Sequence, residues 1–400
     1  MSAQTGIDVV GARLEERTRC NERFFGAEAE RIARLCHRMA ERFARGGRLI
    51  ALGGGGADRS DVRHVTVEFV HPVIVGKRAL PALGLSVEGG ALEAQAALVA
   101  EPDDIAIAFG DGPDLAAAVA ACARRGALTI AFADGAAGEW SFAAPSADPF
   151  VRQELVETHY HVLWELVHVF FEHRGLLEGR RGGAVHDAGA SSFLYPFLSE
   201  REDDLEAVVA DVRASVAMKA ADVGALRAQT LGDGRETLLR GAADLRAAFA
   251  GGGRLLALGN GGSATDAMDV VADFRAPPAE AGWPARPALD LTEDTAVLTA
   301  LANDIGVDAI FARQIIAHGR AGDVVLALST SGGSANVIAA LQEARRRGLR
   351  TIALVGYDGG RVAAEGLADH VVVTRSDHIP RIQEAQASAY HVLRELVEAP

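Results

Sequence analysis

The sequence predicts an α/β protein built from two tandem copies of one unit, each a parallel sheet with helices on both faces. Two observations support this fold class. Three segments of the chain recur in the same order with a separation that increases along the chain, which indicates duplication of one ancestral unit with insertions in the second copy. Within each copy, short apolar stretches alternate with amphipathic helical stretches, a pattern typical of βαβ connections.

The duplication is carried by three pairs of similar segments. The first pair reads Gly-Arg-Leu, continues through an apolar strand and ends in a run of glycines, while the last pair shares Tyr-His-Val-Leu. The pairs are 47–56 with 253–262, 124–131 with 346–353, and 160–167 with 390–397. Because the pairs are collinear, chance similarity is a poor explanation for them.

Both copies begin and end in helical sequence. Apolar residues follow three- and four-residue spacing over about 12–45 and again over about 203–250. Each copy then closes with a long helix, near 150–173 in the first and near 380–398 in the second. The elements between these helices are the alternating strands and helices of the predicted sheet.

These limits divide the chain into two domains and a connection. We predict an N-terminal domain over 1–174, a linker over 175–202 and a C-terminal domain over 203–400. The linker is rich in glycine and serine, which indicates flexibility. Its apolar stretch, 193–198, is expected to dock on one of the two copies because it is too apolar to remain in water.

Composition limits the classes of partner. The chain has 400 residues, of which 49% are hydrophobic, so each domain can bury a sizeable core. The formal net charge is −14, which argues against a nucleic acid or an anionic membrane as partner. A phosphorylated ligand would therefore depend on local hydrogen-bond donors, since the overall charge repels it.

The cysteines and the N-terminus suggest a reducing compartment. Cys20, Cys36 and Cys122 are odd in number and lack metal-type spacing. The first ten residues lack the basic and then apolar pattern of a signal peptide. No apolar run approaches the roughly 18 residues that a membrane span needs. The expected location is the cytoplasm.

The clearest binding motif is Ser-Thr-Ser-Gly-Gly-Ser at 329–334. It follows an apolar strand at 324–328 and precedes helical spacing at 335–341. Backbone N–H groups at such a turn point towards a ligand, and the hydroxyl groups add donors. The turn therefore predicts a phosphate site, although a plain serine-glycine turn with a helix cap is the alternative.

A second glycine-rich turn, 259–263, follows another strand of the same copy. It is expected to face the 329–334 turn, because open α/β sheets bind ligands at the carboxyl ends of their strands. The helix after it carries Asp269 and Asp273, one turn apart on one face. A solvated acidic face is the alternative reading of these aspartates.

The first copy carries His64 and Glu68 on the equivalent helix, also one turn apart. A histidine and a carboxylate at this spacing form a competent pair of metal ligands. Gln153 and His161 stand on the closing helix and are expected to lean towards one point. The second copy repeats this Gln/His spacing, so isolated structural histidines are the less favoured explanation.

At these motifs the second copy resembles phosphoheptose isomerase (sedoheptulose-7-phosphate isomerase) of the sugar isomerase (SIS) superfamily. The resemblance spans about 205–398 and rests on the two turns, an Asn-Asp pair and a Pro-Arg-Ile-Gln-Glu segment. It implies a five-stranded, flavodoxin-like sheet in each domain, N-terminal helices in a bundle, and phosphosugar binding. A family tetramer and two copies per chain imply a homodimer.

The resemblance also implies site residues. Phosphate and sugar would contact residues of the two turns, of the Asn-Asp pair and of the last helix. These are Asn260, Gly261, Gly262, Ser263, Asn303, Asp304, Ser329, Thr330, Ser331, Ser334 and Gln383. The catalytic residues would be Asp273 with His391, or Glu68 with His161. A divalent metal, zinc above all, would use His64, Glu68, Gln153 and His161, or a second set of Asp269, Asp273, Gln383 and His391.

Each copy departs from the family pattern where the other keeps it. Asp269 and Asp273 replace the His and Glu of the family in the second copy. The first copy keeps that pair, but it has Ala57 in the place of Ser263, Gly-Asp-Gly-Pro-Asp at 110–114 in place of the serine turn, and no matching Asn-Asp pair. The hypothesis is that the second copy binds the phosphosugar while the first contributes the His64/Glu68 helix or a structural metal.

The predicted reaction is interconversion of an aldose and a ketose phosphate, in particular sedoheptulose 7-phosphate and D-glycero-D-manno-heptose 7-phosphate. No nucleotide cofactor is expected. Two alternatives remain open. One is a regulatory protein that binds phosphosugars without catalysis, because the aspartate replacements abolished turnover. The other is a SIS-type interaction scaffold, which the intact 329–334 turn argues against.

Overall fold

The computed structural model describes residues 3–74, 77–132, 138–172, 176–177 and 204–399. The predicted linker, 175–202, lies almost wholly outside these residues, and its apolar stretch 193–198 lies entirely outside them.

The chain forms two compact units. The C-terminal unit comprises Met1–Arg19, Asp148–Glu154 and Asp222–Pro400, and the N-terminal unit comprises Cys20–Ala147 and Leu155–Ala221. The long helices α1, α5 and α6 therefore each supply residues to both units. Their bounds are Ala3–Ala44, Pro149–Glu172 and Leu205–Ala250.

The N-terminal unit contains a five-stranded sheet in the order β2-β1-β3-β4-β5, with every pair parallel. Strands and helices alternate along the chain, as expected for βαβ units. The elements are β1 (Leu49–Gly53), α2 (Ala57–Val70), β2 (Ala82–Ser86), α3 (Leu92–Val99), β3 (Ile105–Phe109), α4 (Pro113–Arg124), β4 (Leu128–Ala131) and β5 (Trp140–Ser141).

The C-terminal unit repeats this arrangement, with the order β10-β9-β8-β6-β7 and parallel pairing throughout. The prediction of two five-stranded parallel sheets flanked by helices is confirmed. The elements are β6 (Leu255–Leu258), α7 (Gly262–Arg275), β7 (Ala288–Asp290), α8 (Thr295–Asp304), α9 (Ile310–His318), β8 (Val324–Ser329), α10 (Ala335–Arg346), β9 (Arg350–Gly356), α11 (Gly360–Ala364), β10 (His370–Thr374) and α12 (Ile379–Glu398).

The central strands of the C-terminal sheet are apolar throughout because both of their faces are covered. Along β8, Val324 and Leu326 join the core that includes α7 and α12, while Val325 and Ala327 join the core that includes α9 and α10. Alternate side chains of a strand point to opposite faces. A parallel sheet between two helical layers therefore needs a continuous apolar run rather than an alternating one.

The strand order places a crevice at one point of each sheet. In the C-terminal unit the chain passes from β6 outwards to β7, and then returns to β8 on the other side of β6. The helices after β6 and β8 accordingly lie on opposite faces. Such a reversal leaves room at the carboxyl ends of the two strands, where open α/β sheets bind ligands. In the N-terminal unit the corresponding point lies between β1 and β3.

Within the described part of the chain, the helices are all too short or too polar to cross a bilayer.

Candidate active site

The 329–334 turn lies at the carboxyl end of β8, at the crevice of the C-terminal sheet. Gly332 has a φ of 57°, and a methyl group there would lie 2.2 Å from the Gly359 carbonyl oxygen, so this position requires glycine. The Gly332 N–H donates to Ser329 Oγ at 3.1 Å, and the Gly333 N–H donates to Ser331 Oγ at 3.2 Å. Helix α10 begins directly after Ser334. The turn thus brings hydroxyl groups to a helix N-terminus, as an anion site requires.

The 259–263 turn meets the serine turn through paired amides. Asn260 Nδ2 donates to Asn336 Oδ1, and Asn336 Nδ2 donates to Asn260 Oδ1, both at 2.9 Å. Asn336 is buried at the start of α10, whereas Asn260 is exposed. Gly261, with a φ of 57°, caps α7 and leads into Gly262 and Ser263. The structure therefore brings the two predicted turns together across the crevice.

The predicted Asn-Asp pair lies apart from this arrangement. Asn303 and Asp304 end α8, both side chains are exposed, and Asn303 Nδ2 donates to Asp304 Oδ1 at 2.7 Å. Within the described part of the chain, no hydrogen bond joins this pair to the 329–334 turn. Gln383 is buried near the start of α12.

A buried acid–base cluster joins α7 to α12. His391 Nε2 lies 3.5 Å from Asp269 Oδ2 and 3.5 Å from Asp273 Oδ2. Tyr390 donates from its hydroxyl to Asp269 Oδ2 at 2.8 Å. Asp269, Asp273 and His391 are buried, and their potential metal-binding atoms all lie within 4.8 Å of one another. The two aspartates of α7 therefore converge on the last-helix histidine.

Burial and charge set the protonation of this cluster. Burial alone would lower the pKa of His391, but the carboxylates of Asp269, Glu154 and Asp273 outweigh it and raise the pKa to about 10. Burial, followed by the neighbouring Asp269 carboxylate, raises the pKa of Asp273 well above its usual value. At neutral pH the imidazole of His391 is therefore charged, and Asp273 binds a proton more readily than an ordinary aspartate does.

Two groups at this cluster are short of partners. Among the described residues, His391 Nε2 and Asp273 Oδ2 have no hydrogen-bond partner, since their 3.5 Å separation is too long for one. Buried polar atoms normally find a partner, and an incomplete pair of this kind is typical of a site that receives a ligand, water or metal.

Sequence reasoning missed Glu154, which binds the other side of the same imidazole. His391 Nδ1 donates to Glu154 Oε1 at 2.9 Å, and Phe150 stacks on the ring with centroids 4.5 Å apart. A signal was present, because Glu154 follows Gln153 just as Glu384 follows Gln383. The spacing could not indicate which histidine this glutamate would meet.

The N-terminal unit holds a second buried cluster. His64 Nε2 lies 3.3 Å from His161 Nε2 and 4.0 Å from Glu68 Oε1. Glu157 also places a carboxylate oxygen within 4.8 Å of both imidazoles. Two imidazoles and carboxylates converging in this way form a donor set suited to zinc. Gln153, the fourth predicted ligand, lies in the 148–154 segment that belongs to the C-terminal unit.

Glu157 was not singled out from the sequence, although its position carries a recognisable pattern. It stands one helical turn before His161 on α5, the same spacing as His64 and Glu68 on α2. All four side chains are buried. The cluster therefore consists of two His/Glu pairs, one on each helix.

The glycine turn between β1 and α2 differs in length from the corresponding turn between β6 and α7. Leu49 N and Leu255 N donate to Pro81 O and Pro287 O, so the strands match at these residues. The helices, however, are capped by Gly56 and Gly261, which have similar backbone angles. The first turn is thus one residue longer, and the statement that Ala57 takes the place of Ser263 is wrong.

Asp58 takes the position that corresponds to Ser263. A methyl group at Gly110, in the turn after β3, would lie 2.2 Å from Asp58 Oδ2. The carboxylate of Asp58 therefore packs against the turn that corresponds to the serine turn. A negative charge at this point opposes the entry of a phosphate.

Comparison with known proteins places these features in context. The family model described as SIS domain matches residues 220–356. A phosphoheptose isomerase from Citrifermentans bemidjiense is 46% identical over 151 residues, which cover 38% of this chain and 77% of that protein.

Two solved structures resemble nearly the whole chain. The C-terminal domain of glucosamine-fructose-6-phosphate aminotransferase from Francisella tularensis aligns with a TM-score of 0.59 at 10% identity, covering 97% of this chain and 95% of that one. Tagatose-6-phosphate ketose/aldose isomerase from Escherichia coli aligns with a TM-score of 0.53 at 14% identity, covering 99% and 95%. At these identities the likeness concerns the fold alone.

Proposed function

This chain belongs to the phosphoheptose isomerase family, and on that premise we propose that it interconverts sedoheptulose 7-phosphate and D-glycero-D-manno-heptose 7-phosphate. The observation that carries the proposal is the convergence of Asp269, Asp273 and His391 in the unit that also holds the 329–334 turn. Phosphate binding and proton transfer are the two requirements of an aldose–ketose isomerase.

The phosphate would bind at the crevice of the C-terminal sheet. Ser329, Thr330, Ser331 and Ser334 supply hydroxyl groups at the N-terminus of α10, whose dipole favours an anion. The opposite side of the crevice is formed by Asn260, Gly261, Gly262 and Ser263 at the start of α7. We assign Asn303, Asp304 and Gln383 to the sugar, as the family resemblance implies.

Proton transfer would use the α7–α12 cluster. Asp273, as a carboxylate, takes the proton from the carbon next to the carbonyl, and an enediol forms. His391, charged at neutral pH, donates to the developing oxyanion. The protonated Asp273 then returns its proton to the adjacent carbon, while the other enediol hydroxyl gives its proton to His391 and becomes the new carbonyl. A carboxylate with a raised pKa is a stronger proton acceptor when ionised, which suits Asp273 for this step.

A divalent metal is part of the proposal. His64, Glu68, Glu157 and His161 form the donor set that fits zinc best, because two imidazoles and carboxylates converge in a buried place. Asp269, Asp273 and His391 form the second set, with two ring or carboxylate atoms short of partners. A bound divalent ion acts as a Lewis acid that stabilises negative charge on oxygen.

Other features of the organisation are proposals as well. We retain a domain boundary within 175–202, association of two chains, and a cytoplasmic location, the last because Cys20, Cys36 and Cys122 are all free and buried. Glu68 and His161, the alternative catalytic pair, are assigned to the metal because the Asp58 carboxylate packs against the turn of their own unit.

The test is to mix the purified, metal-analysed protein with sedoheptulose 7-phosphate and to follow the sugar carbons by NMR. The appearance of an aldose heptose phosphate supports the isomerase. Shifts on binding without product would contradict it and favour a phosphosugar-binding regulator. Absence of both binding and product would favour an interaction scaffold.

A further inference from the structure

Glu154 is a fully buried carboxylate that the acid–base pair proposed above does not include. It lies on α5, in the short segment 148–154 that packs in the C-terminal unit. Its Oε1 accepts the Nδ1 proton of His391 at 2.9 Å. A buried charge is costly unless it is paired and hydrogen-bonded, so the other contacts of Glu154 decide whether it is a stable feature.

Those contacts satisfy both oxygens. Arg17 Nε donates to Oε1 at 2.9 Å and to Oε2 at 3.0 Å, and a terminal nitrogen of Arg17 lies 2.8 Å from Oε1. Ser388 donates from its hydroxyl to Oε2 at 2.5 Å, and Arg227 Nε lies 3.9 Å from Oε2. Every one of these neighbours is a donor or a cation, so the carboxylate is held ionised and in one orientation.

This fixed carboxylate determines how His391 presents its ring. Because Glu154 accepts from Nδ1, the opposite atom, Nε2, points towards Asp269 and Asp273 at 3.5 Å. Phe150 lies against the ring face at an interplanar angle of 14°, which restricts rotation of the imidazole. A ring turned by 180° would lose the bond to Glu154 inside the protein, where an unmade hydrogen bond to a charge is expensive.

We infer that Glu154 is a positioning residue for His391: it fixes the proton on Nδ1 and directs Nε2 to the reacting group. The inference rests on the proposed isomerase function, because that function gives His391 its role. A carboxylate bound behind a histidine is a general device for setting the orientation and the tautomer of the ring. Glu384, the matching residue of the second copy, pairs with Arg381 at 2.7 Å.

The experiment compares Glu154→Gln with the double variant Arg17→Met/Glu154→Met. The double variant removes both partners of the Arg17–Glu154 ion pair, so the Arg17 guanidinium is not left unpaired in the core. Glu395→Gln is the matched control, since Glu395 is a buried carboxylate bound by Arg13 at 3.1 Å. We expect kcat to fall about 10- to 100-fold in the Glu154 variants, with KM changed less than about threefold, and no such fall in the control.

A second readout does not depend on turnover. The Nδ1 proton of His391, shielded and bound to a carboxylate, should give a downfield signal in the proton NMR spectrum, assigned by its loss in His391→Gln. The signal should be absent in the double variant and present in Glu395→Gln.

Wild-type kcat in the double variant, or an unchanged Nδ1 signal there, overturns the inference. Failure of the proposed function has a different appearance: the wild type shows the Nδ1 signal but forms no product from sedoheptulose 7-phosphate. In that case His391 is positioned by Glu154, and its part in isomerisation is rejected.

Discussion

The two units have the same strand order but differ in the side chains at their turns and on their helix pairs. In the C-terminal unit the turn after the third strand of the copy carries hydroxyl groups, and the helix pair carries two aspartates with one histidine. In the N-terminal unit the Asp58 carboxylate packs against the corresponding turn, while the helix pair carries two histidines with two glutamates.

This difference shows which features a duplicated α/β unit can lose. The sheets are held by apolar strands buried on both faces, so their order tolerates complete replacement of the side chains at the strand ends. The start of the helix after the first strand, by contrast, differs by a charge: Asp58 stands where Ser263 stands in the other unit. The copies are thus equivalent as scaffolds and unequal as sites.

The largest expected effect is on catalysis in the C-terminal unit. His391→Gln removes the charged imidazole between Asp269 and Asp273, and we expect kcat to fall about 10²- to 10⁴-fold because a general acid is lost. His318→Gln, an exposed histidine at the end of α9, is the control and should keep wild-type kcat. Equal activity of the two variants in an NMR assay of turnover would refute the assignment of catalysis to this cluster.

The next effect concerns the two turns. Ser331→Ala removes a hydroxyl group from the exposed rim of the serine turn, and affinity for sedoheptulose 7-phosphate should fall about tenfold or more, as expected for one hydrogen bond to a charged group. The matched change in the N-terminal turn is Asp111→Ala, at an exposed position. In a calorimetric titration, Asp111→Ala should bind sedoheptulose 7-phosphate with the wild-type affinity. A comparable loss of affinity in both variants would remove the distinction between the turns.

Metal content provides a third comparison. In the N-terminal unit, His161→Ala deletes one of two imidazoles whose Nε2 atoms lie 3.3 Å apart. We expect it to lower zinc affinity more than the roughly 10- to 100-fold that outer-shell changes cause. Elemental analysis after dialysis against a weak chelator measures this. If His161→Ala retained zinc and Asp269→Ala lost it, the metal site would be assigned to the C-terminal unit instead.

The smallest effect is on stability at acid pH. His159 is buried among Phe24, Phe132 and Phe142, and burial lowers its pKa to about 3, whereas the second copy has Ala389 at this place. In the unfolded chain His159 takes up a proton near pH 6.5, whereas in the folded chain it stays neutral until about pH 3. Stability due to this site is therefore present above pH 6.5 and falls by about 1.4 kcal/mol per pH unit below it.

His159→Phe should remove that part of the pH dependence. Urea unfolding between pH 7 and pH 5 measures it, and the variant should lose less stability than the wild type over this interval. His318→Phe, at an exposed site, should follow the wild type. If the free energy of unfolding of His159→Phe and of the wild type changed with pH in parallel, His159 would be able to carry a proton among its aromatic neighbours, contrary to this prediction.

The sequence was informative where one local pattern determines the structure. Apolar runs such as 324–328 predicted the buried strands, and the repeat predicted that both sheets would be alike. The glycine run 53–56 has no internal landmark, so the extra residue in that turn was invisible until the strand and helix ends were located.

Glu154 and Glu157 show the other limit. They lie on one helix, α5, three residues apart, yet one belongs to the C-terminal unit and the other to the N-terminal unit. Helical periodicity indicates which residues share a face, but the partner of that face is determined by tertiary packing. The spacing of these glutamates was visible in the sequence, but the histidine that each one meets was not.

The most direct test of the division between the units is the stoichiometry of sugar phosphate binding. Calorimetry of the His391→Gln variant with sedoheptulose 7-phosphate avoids turnover during the titration. We expect one binding site per chain, which Ser331→Ala weakens and Asp111→Ala leaves intact. Two equivalent sites per chain, or one site that responds to Asp111→Ala and not to Ser331→Ala, would contradict it.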